Sequence, residues 1–190
     1  MNRMVKNFEP PYFNEGWDSI KKQYYDVNPA YLTDSLEEMV GIPHDNPHHI
    51  LTLGAHMKMA NILFESKYTN CLNKNKNDED RRVNLNISDY NIMHNAVLFH
   101  DLGKRFCKTF INYKGEEMNG IAHYYNHSNV GAYMYVCATG DYEEDLLVAN
   151  LIADHMKFFN GEKAIEKLRE KYGDKFWMLE ELHEFDTSAH

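Results

Sequence analysis

The stretch AVLFHDLGK, residues 96–104, places an adjacent histidine and aspartate, His100 and Asp101, directly after an apolar run. The residues before the pair predict a strongly apolar helix at the centre of the core, with Ser88 as its N-cap and an end near Gly103. Burying an imidazole and a carboxylate costs free energy unless both find partners. The stretch therefore predicts that this helix carries the pair into a polar site inside the core.

Helical patterns account for most of the remaining chain. Asp34, with Glu37 three residues later, is typical of a helix start, and Gly41-Ile42-Pro43 ends that short helix. Alternating apolar residues around Lys114-Gly115 predict a small β-hairpin. Further helices are predicted over about 48–66, 127–138, 141–155, 160–173 and from 174 onward, with an exposed polar loop over 70–86. The pattern predicts an all-α domain with one hairpin insertion.

Composition narrows the class of protein and of partner. A chain of 190 residues fits one domain. Its net charge of -9 gives no general attraction to nucleic acid, so a small anionic substrate is expected rather than a long polyanion. The three cysteines, Cys71, Cys107 and Cys137, are widely spaced and odd in number, which indicates neither a disulfide framework nor a thiolate zinc site.

Location is predicted from two further features of the sequence. The N-terminal residues MNRMVKNFEPPYF contain no apolar core of a secretory signal. No run of about eighteen apolar residues predicts a membrane span. The cytoplasm is therefore expected. Self-association of the chain is left open.

Histidine and aspartate residues within apolar helices are the candidates for chemistry. A single helical histidine is more often an ordinary core or surface residue. Five predicted helices that each bring an imidazole or a carboxylate inward indicate that these groups meet, and a divalent metal best stabilises such a meeting. Six candidate ligands suit a two-metal cluster with an aspartate bridge, or one metal whose ligands are supported by the remaining histidines. The candidates are His56, His100, Asp101, His127, His155 and Asp186.

The order of these motifs resembles the HD superfamily of metal-dependent phosphohydrolases. AVLFHDLGK is similar to the central motif of that superfamily. The segments HYYNHSNVGA, residues 123–132, and LIADHMKFF, residues 151–159, resemble the HD domain of bacterial CCA-adding tRNA nucleotidyltransferases most closely. The resemblance covers roughly His49 to the C-terminus, and the HD module is expected to stand alone, without a nucleotidyltransferase domain before it. It implies one HD domain, with residues 1–45 as a helical N-terminal extension and residues 46–190 as the core.

The resemblance implies two sets of metal ligands that share one carboxylate. The first set is His56, His100, Asp101 and Asp186. The second set is Asp101, His127 and His155. The metals expected are one or two divalent transition ions, namely manganese, iron, nickel, cobalt or zinc. Magnesium is disfavoured because several ligands are histidines.

The resemblance also implies how substrate is bound and cleaved. A metal-activated water would hydrolyse a phosphomonoester or phosphodiester, with a nucleotide or a 2′,3′-cyclic nucleotide as the favoured substrate. Asp101 and Lys104 are the expected catalytic residues, and Lys104, His123 and Lys157 are the expected contacts to substrate. Two alternatives remain: a di-iron oxygenase of the same superfamily, and a nucleotide-binding module that holds metal without turnover.

Several other histidines are weighed against these assignments. His44, His48 and His49 compete with His56 for the first ligand position, and His56 is preferred because it lies inside an apolar helix. His94 shares a helix face with Asp101 and is expected to be a core histidine. The remaining two, His183 and His190, are expected at the surface. Asp186 lies close to the end of the chain, so the first ligand set requires that its helix be docked.

Overall fold

The structure is a computed structural model that describes residues 3–12, 28–47, 49–72, 85–140 and 142–189, with only the backbone of Arg3 and of residues 69–72. Most of the predicted polar loop over 70–86 lies outside the described residues, as do His48, Asp141 and His190. The α-helices are α1 (Arg3–Lys6), α2 (Ala30–Met39), α3 (Leu53–Leu72), α4 (Ile87–Phe99), α5 (Lys104–Cys107), α6 (His127–Ala138), α7 (Glu143–Asp154), α8 (Glu162–Tyr172) and α9 (Phe176–Ser188). Short 3-10 helices cover His155–Asn160 and Gly173–Lys175.

The predicted all-α class with a small hairpin is confirmed. Strands β1 (Lys108–Thr109) and β2 (His123–Tyr124) pair antiparallel between α5 and α6. The turn of this hairpin is closed by a hydrogen bond from the Gly115 amide to the Asn112 carbonyl, 3.0 Å long. Gly115 has a φ of 85°, which a residue without a Cβ adopts at little cost. The hairpin places Tyr124 immediately before the first turn of α6.

Helix α4 is the central helix, as its apolar sequence predicts. It packs between α3 and α7, and α9 contacts both α3 and α4. Met93, Ala96 and Val97 on α4 are fully buried, as are Met57 and Phe64 on α3. Burying one large apolar side chain, such as methionine or phenylalanine, stabilises the fold by about 1.5–3 kcal/mol. This packing fixes the end of α4, where His100 and Asp101 follow, relative to α3 and α7.

Two predicted helix caps are wrong. Helix α4 is capped by Asn86, whose side chain accepts a hydrogen bond from the Asp89 amide, while the Ser88 hydroxyl donates to Glu144. Helix α2 begins at Ala30, so Asp34 lies in its interior. The preceding residue, Pro29, already has a helical φ of -59° and lacks an amide hydrogen that would need a partner. In both cases the helix begins one or more residues before the predicted start.

The other predicted helices are present, and most of them have shifted ends. The predicted helix over 127–138 is confirmed at both ends. The second helix runs over Leu53–Leu72 rather than 48–66, and the helix before His155 ends at Asp154, so that His155 begins a 3-10 turn. Within the described residues, no helix combines the length and the apolar character that crossing a membrane requires.

Candidate metal centre

Six side chains from five parts of the fold meet in the core. The structure brings together all the residues predicted as metal ligands, and their ligating atoms form two groups in which all members lie within 4.8 Å of one another. Five of the six side chains are nearly fully buried, and the sixth, Asp186, is 11% exposed. The first group is His56, His100, Asp101 and Asp186, and the second is Asp101, His127 and His155.

The first group joins α3, the end of α4 and α9. His56 Nε2 lies 2.9 Å from Asp186 Oδ1 and 3.5 Å from Asp101 Oδ2. His100 Nε2 lies 3.3 Å from Asp186 Oδ1 and 3.4 Å from Asp101 Oδ2. The Nε2 atoms of His56 and His100 lie 3.3 Å apart. Two imidazoles and two carboxylates therefore converge on one point.

The second group joins the same aspartate to the starts of two other segments. His127 is the first residue of α6, and its Nε2 lies 3.1 Å from Asp101 Oδ1. His155 follows α7, and its Nε2 lies 3.7 Å from the same oxygen. Because Oδ2 faces the first group and Oδ1 faces the second, Asp101 has the arrangement of a bridging carboxylate.

The orientation of the four imidazoles is fixed from outside the cluster. Each Nδ1 lies 2.7–2.8 Å from a backbone carbonyl oxygen. A carbonyl only accepts hydrogen bonds, so each Nδ1 carries the hydrogen and each neutral imidazole keeps a lone pair on Nε2. The donor and acceptor pairs are His56 with Ala189, His100 with Val97, His127 with Tyr124, and His155 with Ile152. This is the hydrogen-bonding pattern that supports metal-ligating histidines.

The cluster is electrostatically incomplete without a cation. The Nε2 atoms of His127 and His155 and the Oδ1 atom of Asp101 are buried without a hydrogen-bond partner. Although burial disfavours a charged imidazole, the carboxylates of Asp101 and Asp186 raise the pKa of His100 to about 10. The cluster therefore favours a bound positive charge at its centre. Neutral imidazoles and carboxylates are ligands for divalent transition metals, so the donor set fits such ions.

One lysine lies beside the bridging aspartate. Lys104 is 7% exposed, and its Nζ lies 2.5 Å from Asp101 Oδ2. Burial opposes the charged carboxylate, yet Lys104 and His100 hold the pKa of Asp101 well below its usual value. Lys104 follows Asp101 by three residues at the start of α5, which accounts for its reach. Lys104 therefore lies next to the ligands, and its role toward substrate stays a prediction.

Among the described histidines that compete for the first ligand position, His56 is the one in the cluster. His44 and His49 lie beside the cluster, with their rings stacked at 4.1 Å. His44 Nε2 lies 3.2 Å from Lys104 Nζ. Burial and the nearby Lys104 ammonium lower the pKa of His44 to about 3. Apart from the presence of a histidine in the loop before α3, no sequence pattern indicates this contact.

The end of the chain is docked, as the first ligand group requires. Asp186 lies in the last turns of α9, and Leu182, Phe185 and Ala189 around it are buried. Ala189 also accepts the hydrogen bond from His56, which ties the end of the chain to α3. The ligand supplied by α9 is therefore held by core packing on both sides.

The two other predicted substrate contacts, His123 and Lys157, have partners outside the six-residue cluster. The ammonium of Lys157 is 2.7 Å from Asp154 Oδ1, and Asp154 also binds Lys171. The His123 ring stacks on Tyr125 with the ring centroids 5.4 Å apart, and the contacts described for it include none with the cluster. Their roles toward substrate stay predictions.

Two histidines outside the cluster are placed by aromatic contacts. His183, expected at the surface, is half-buried and stacks on Phe158 at 4.7 Å. The expectation that His94 is a core histidine is wrong, because its side chain is 30% exposed and lies beside Phe64 and Tyr90, outside both ligand groups.

Comparison of the chain with protein-family models, with curated proteins and with solved structures finds no match. The resemblance to the HD superfamily therefore stays a prediction. What is established is a buried cluster of four histidines and two aspartates that could hold metal ions.

Proposed function

We propose that the chain is a metal-dependent phosphohydrolase of the HD type. Its substrate would be a phosphomonoester or phosphodiester of a nucleotide, including a 2′,3′-cyclic nucleotide. The observation that carries the proposal is the position of Lys104, whose buried ammonium lies 2.5 Å from the carboxylate shared by the two ligand groups. An anion such as phosphate is the ligand that a cluster of cations, with a lysine at its edge, would attract.

The two ligand groups would hold different ions. Four side chains would bind the first metal, and three would bind the second, so the second site would have more positions open to water and substrate. Divalent ions bound there would supply Lewis acidity toward phosphate oxygens and lower the pKa of a bound water. Four imidazoles among the ligands favour manganese, iron, nickel, cobalt or zinc over magnesium.

The side chains around the ions would prepare the site for phosphate. Asp101 would set the relative position of the two ions because each of its oxygens faces one group. Lys104 has three N–H donors, and its ammonium forms an ion pair with Asp101 and a hydrogen bond to His44 Nε2. The third N–H would donate to a phosphate oxygen and offset the negative charge that develops during hydrolysis. Burial strengthens these interactions because little water competes.

A hydrolysis screen tests this proposal. The metal-free protein is reloaded with each of the five transition ions or with magnesium, and is offered phosphomonoesters, 3′,5′-cyclic nucleotides and 2′,3′-cyclic nucleotides. Release of phosphate or opening of the cyclic ester is measured. We expect turnover in the wild type and the loss of at least about 100-fold in Asp101→Asn. His94→Gln is the matched control, because His94 is partly exposed and lies outside the cluster.

The same screen separates the alternatives. Oxygen consumption by the iron-loaded protein without phosphate release would replace the proposal with oxygenase chemistry. Tight nucleotide binding without turnover under any metal would replace it with a binding module. Turnover that persists unchanged in Asp101→Asn would contradict the assigned site.

A further inference from the structure

His44 occupies the loop between α2 and α3 and is 2% exposed. Its Nδ1 lies 2.9 Å from the Leu51 carbonyl oxygen, and its Nε2 lies 3.2 Å from Lys104 Nζ. A carbonyl only accepts, so Nδ1 carries the hydrogen and Nε2 is the acceptor for the lysine. We infer that His44 is a positioning residue that holds the Lys104 ammonium in place beside the metal cluster.

The imidazole of His44 is itself fixed by its surroundings. The backbone carbonyl of His44 accepts a hydrogen bond from the Tyr124 hydroxyl, and the neighbouring Pro43 forms an isolated β-bridge with Thr52. The ring of His49 stacks on one face of His44. The acceptor atom is therefore anchored by the hairpin, by the loop backbone and by an aromatic neighbour.

A lysine needs such an acceptor more than most side chains do. Its ammonium is a point charge at the end of a flexible chain with three equivalent donors. Attraction to Asp101 fixes the distance between the ammonium and the carboxylate, but it hardly restricts the directions of the three N–H bonds. A second fixed acceptor, His44 Nε2, determines how the ammonium is turned, and so where the third N–H points. Without it, one buried donor would lack a partner.

The second acceptor becomes more important when metals bind. Asp101 is the carboxylate shared by both ligand groups, so its oxygens would coordinate the ions. His44 Nε2 faces Lys104 and belongs to neither group. It would therefore remain available to the lysine. Tyr124, whose ring centroid lies 5.6 Å from Lys104 Nζ, forms the other wall of the lysine site.

A matched pair of substitutions isolates this contact. In His44→Asn the amide replaces Nδ1 and keeps the bond to Leu51, but it is too short to reach the lysine. In His44→Gln the amide oxygen stands near the place of Nε2 and keeps the acceptor. Both are combined with Lys104→Met, and His94→Gln serves as the control outside the site. All proteins are loaded with zinc, and their thermal midpoints establish that each is folded.

The first measurement is the ¹⁵N resonance of the Lys104 ammonium, which is assigned by its absence in Lys104→Met. We expect a resolved signal in the wild type, in His94→Gln and in His44→Gln, and its loss or shift in His44→Asn. An unchanged signal in His44→Asn would overturn the inference. This measurement involves no phosphate and no turnover.

The second measurement is the affinity for inorganic phosphate by titration calorimetry, which rests on the proposed function. We expect His44→Asn to weaken binding roughly tenfold, and His44→Gln to restore most of it. In the Lys104→Met background, His44→Asn should cause no further loss, because the histidine acts through the lysine. An equal loss in both backgrounds would overturn the inference. A wild type that binds no phosphate, with the ammonium signal still dependent on His44, would contradict the proposed function and leave the positioning role supported.

Discussion

Replacing Gly103 by alanine tests how closely the turn after α4 must approach α6. Gly103 has a φ of -68°, which any residue can adopt, so its backbone conformation is no obstacle. The obstacle is space, because an added Cβ would lie 2.0 Å from the His127 carbonyl oxygen and 2.6 Å from the Gly131 amide nitrogen. Ordinary contact begins at 3.4 Å, so the two segments must separate by about 1.4 Å.

The separation would act on the second ligand group. The turn carries Asp101 and α6 carries His127, whose facing atoms are 3.1 Å apart. Metal–ligand distances tolerate changes of only about 0.2 Å. We therefore expect Gly103→Ala to lose about one of two bound zinc ions and to be destabilised by about 3 kcal/mol. The first group does not include His127 and should keep its ion.

Two assays check this expectation. Urea unfolding of the metal-free protein gives the free energy of unfolding, and elemental analysis after zinc loading and desalting gives the stoichiometry. Gly41→Ala is the control, because nothing lies within 4 Å of an added Cβ there; its free energy of unfolding should stay within about 1 kcal/mol of the wild type. A Gly103→Ala protein with wild-type stability and full zinc content would refute the reasoning.

Three further predictions concern charged groups. Lys104→Met should lower turnover by roughly 100-fold. Elemental analysis should find wild-type metal content in this variant, and a loss of metal would contradict the role assigned to Lys104. His44 has a pKa of about 3 in the fold, below the ordinary 6.5, so its contribution to stability is present above pH 6.5 and is lost as the pH falls toward 3. Between pH 7 and pH 5, metal-free His44→Gln should lose about 2 kcal/mol less stability in urea unfolding than the wild type, and parallel curves would contradict this. Asp154→Ala should cost about 2 kcal/mol by the same assay, because Lys171 and Tyr172 lose their shared carboxylate; an unchanged unfolding midpoint would oppose it.

The cluster could be predicted from sequence because each ligand stands among apolar residues. His56, His100 and His155 are surrounded by side chains that must be buried, and a buried imidazole requires a partner. Since several helices carry such groups, their meeting follows from the formation of one core. The structure places the six residues in the two predicted groups.

The helix starts could not be predicted in the same way. Asn86 and Ser88 are both good caps, and the choice between them depends on which amide lies within reach when the helix packs. The Asp34 and Glu37 pattern was overridden at α2, where the chain already enters the helix at Pro29. Cap residues indicate that a helix begins nearby, and tertiary packing decides the position.

Polar contacts between residues far apart in the chain also could not be predicted from the sequence. His44 and Lys104 are 60 positions apart, and the loop that carries His44 has no periodicity from which its direction could be inferred. Lys157 stands two residues after His155, close enough in sequence to be expected at the site. Its ammonium pairs with Asp154, a buried carboxylate three residues earlier, and its contact with substrate stays a prediction.

The central claim is that the two ligand groups bind divalent metal ions through a shared aspartate. The most direct measurement is the metal content of the purified chain after loading with zinc and removal of unbound ions, for the wild type and for Asp101→Asn. We expect about two zinc ions per chain in the wild type, and less than about one in the variant, because both groups lose their common ligand. A wild-type chain that retains no zinc, or a variant that retains as much as the wild type, would contradict the account.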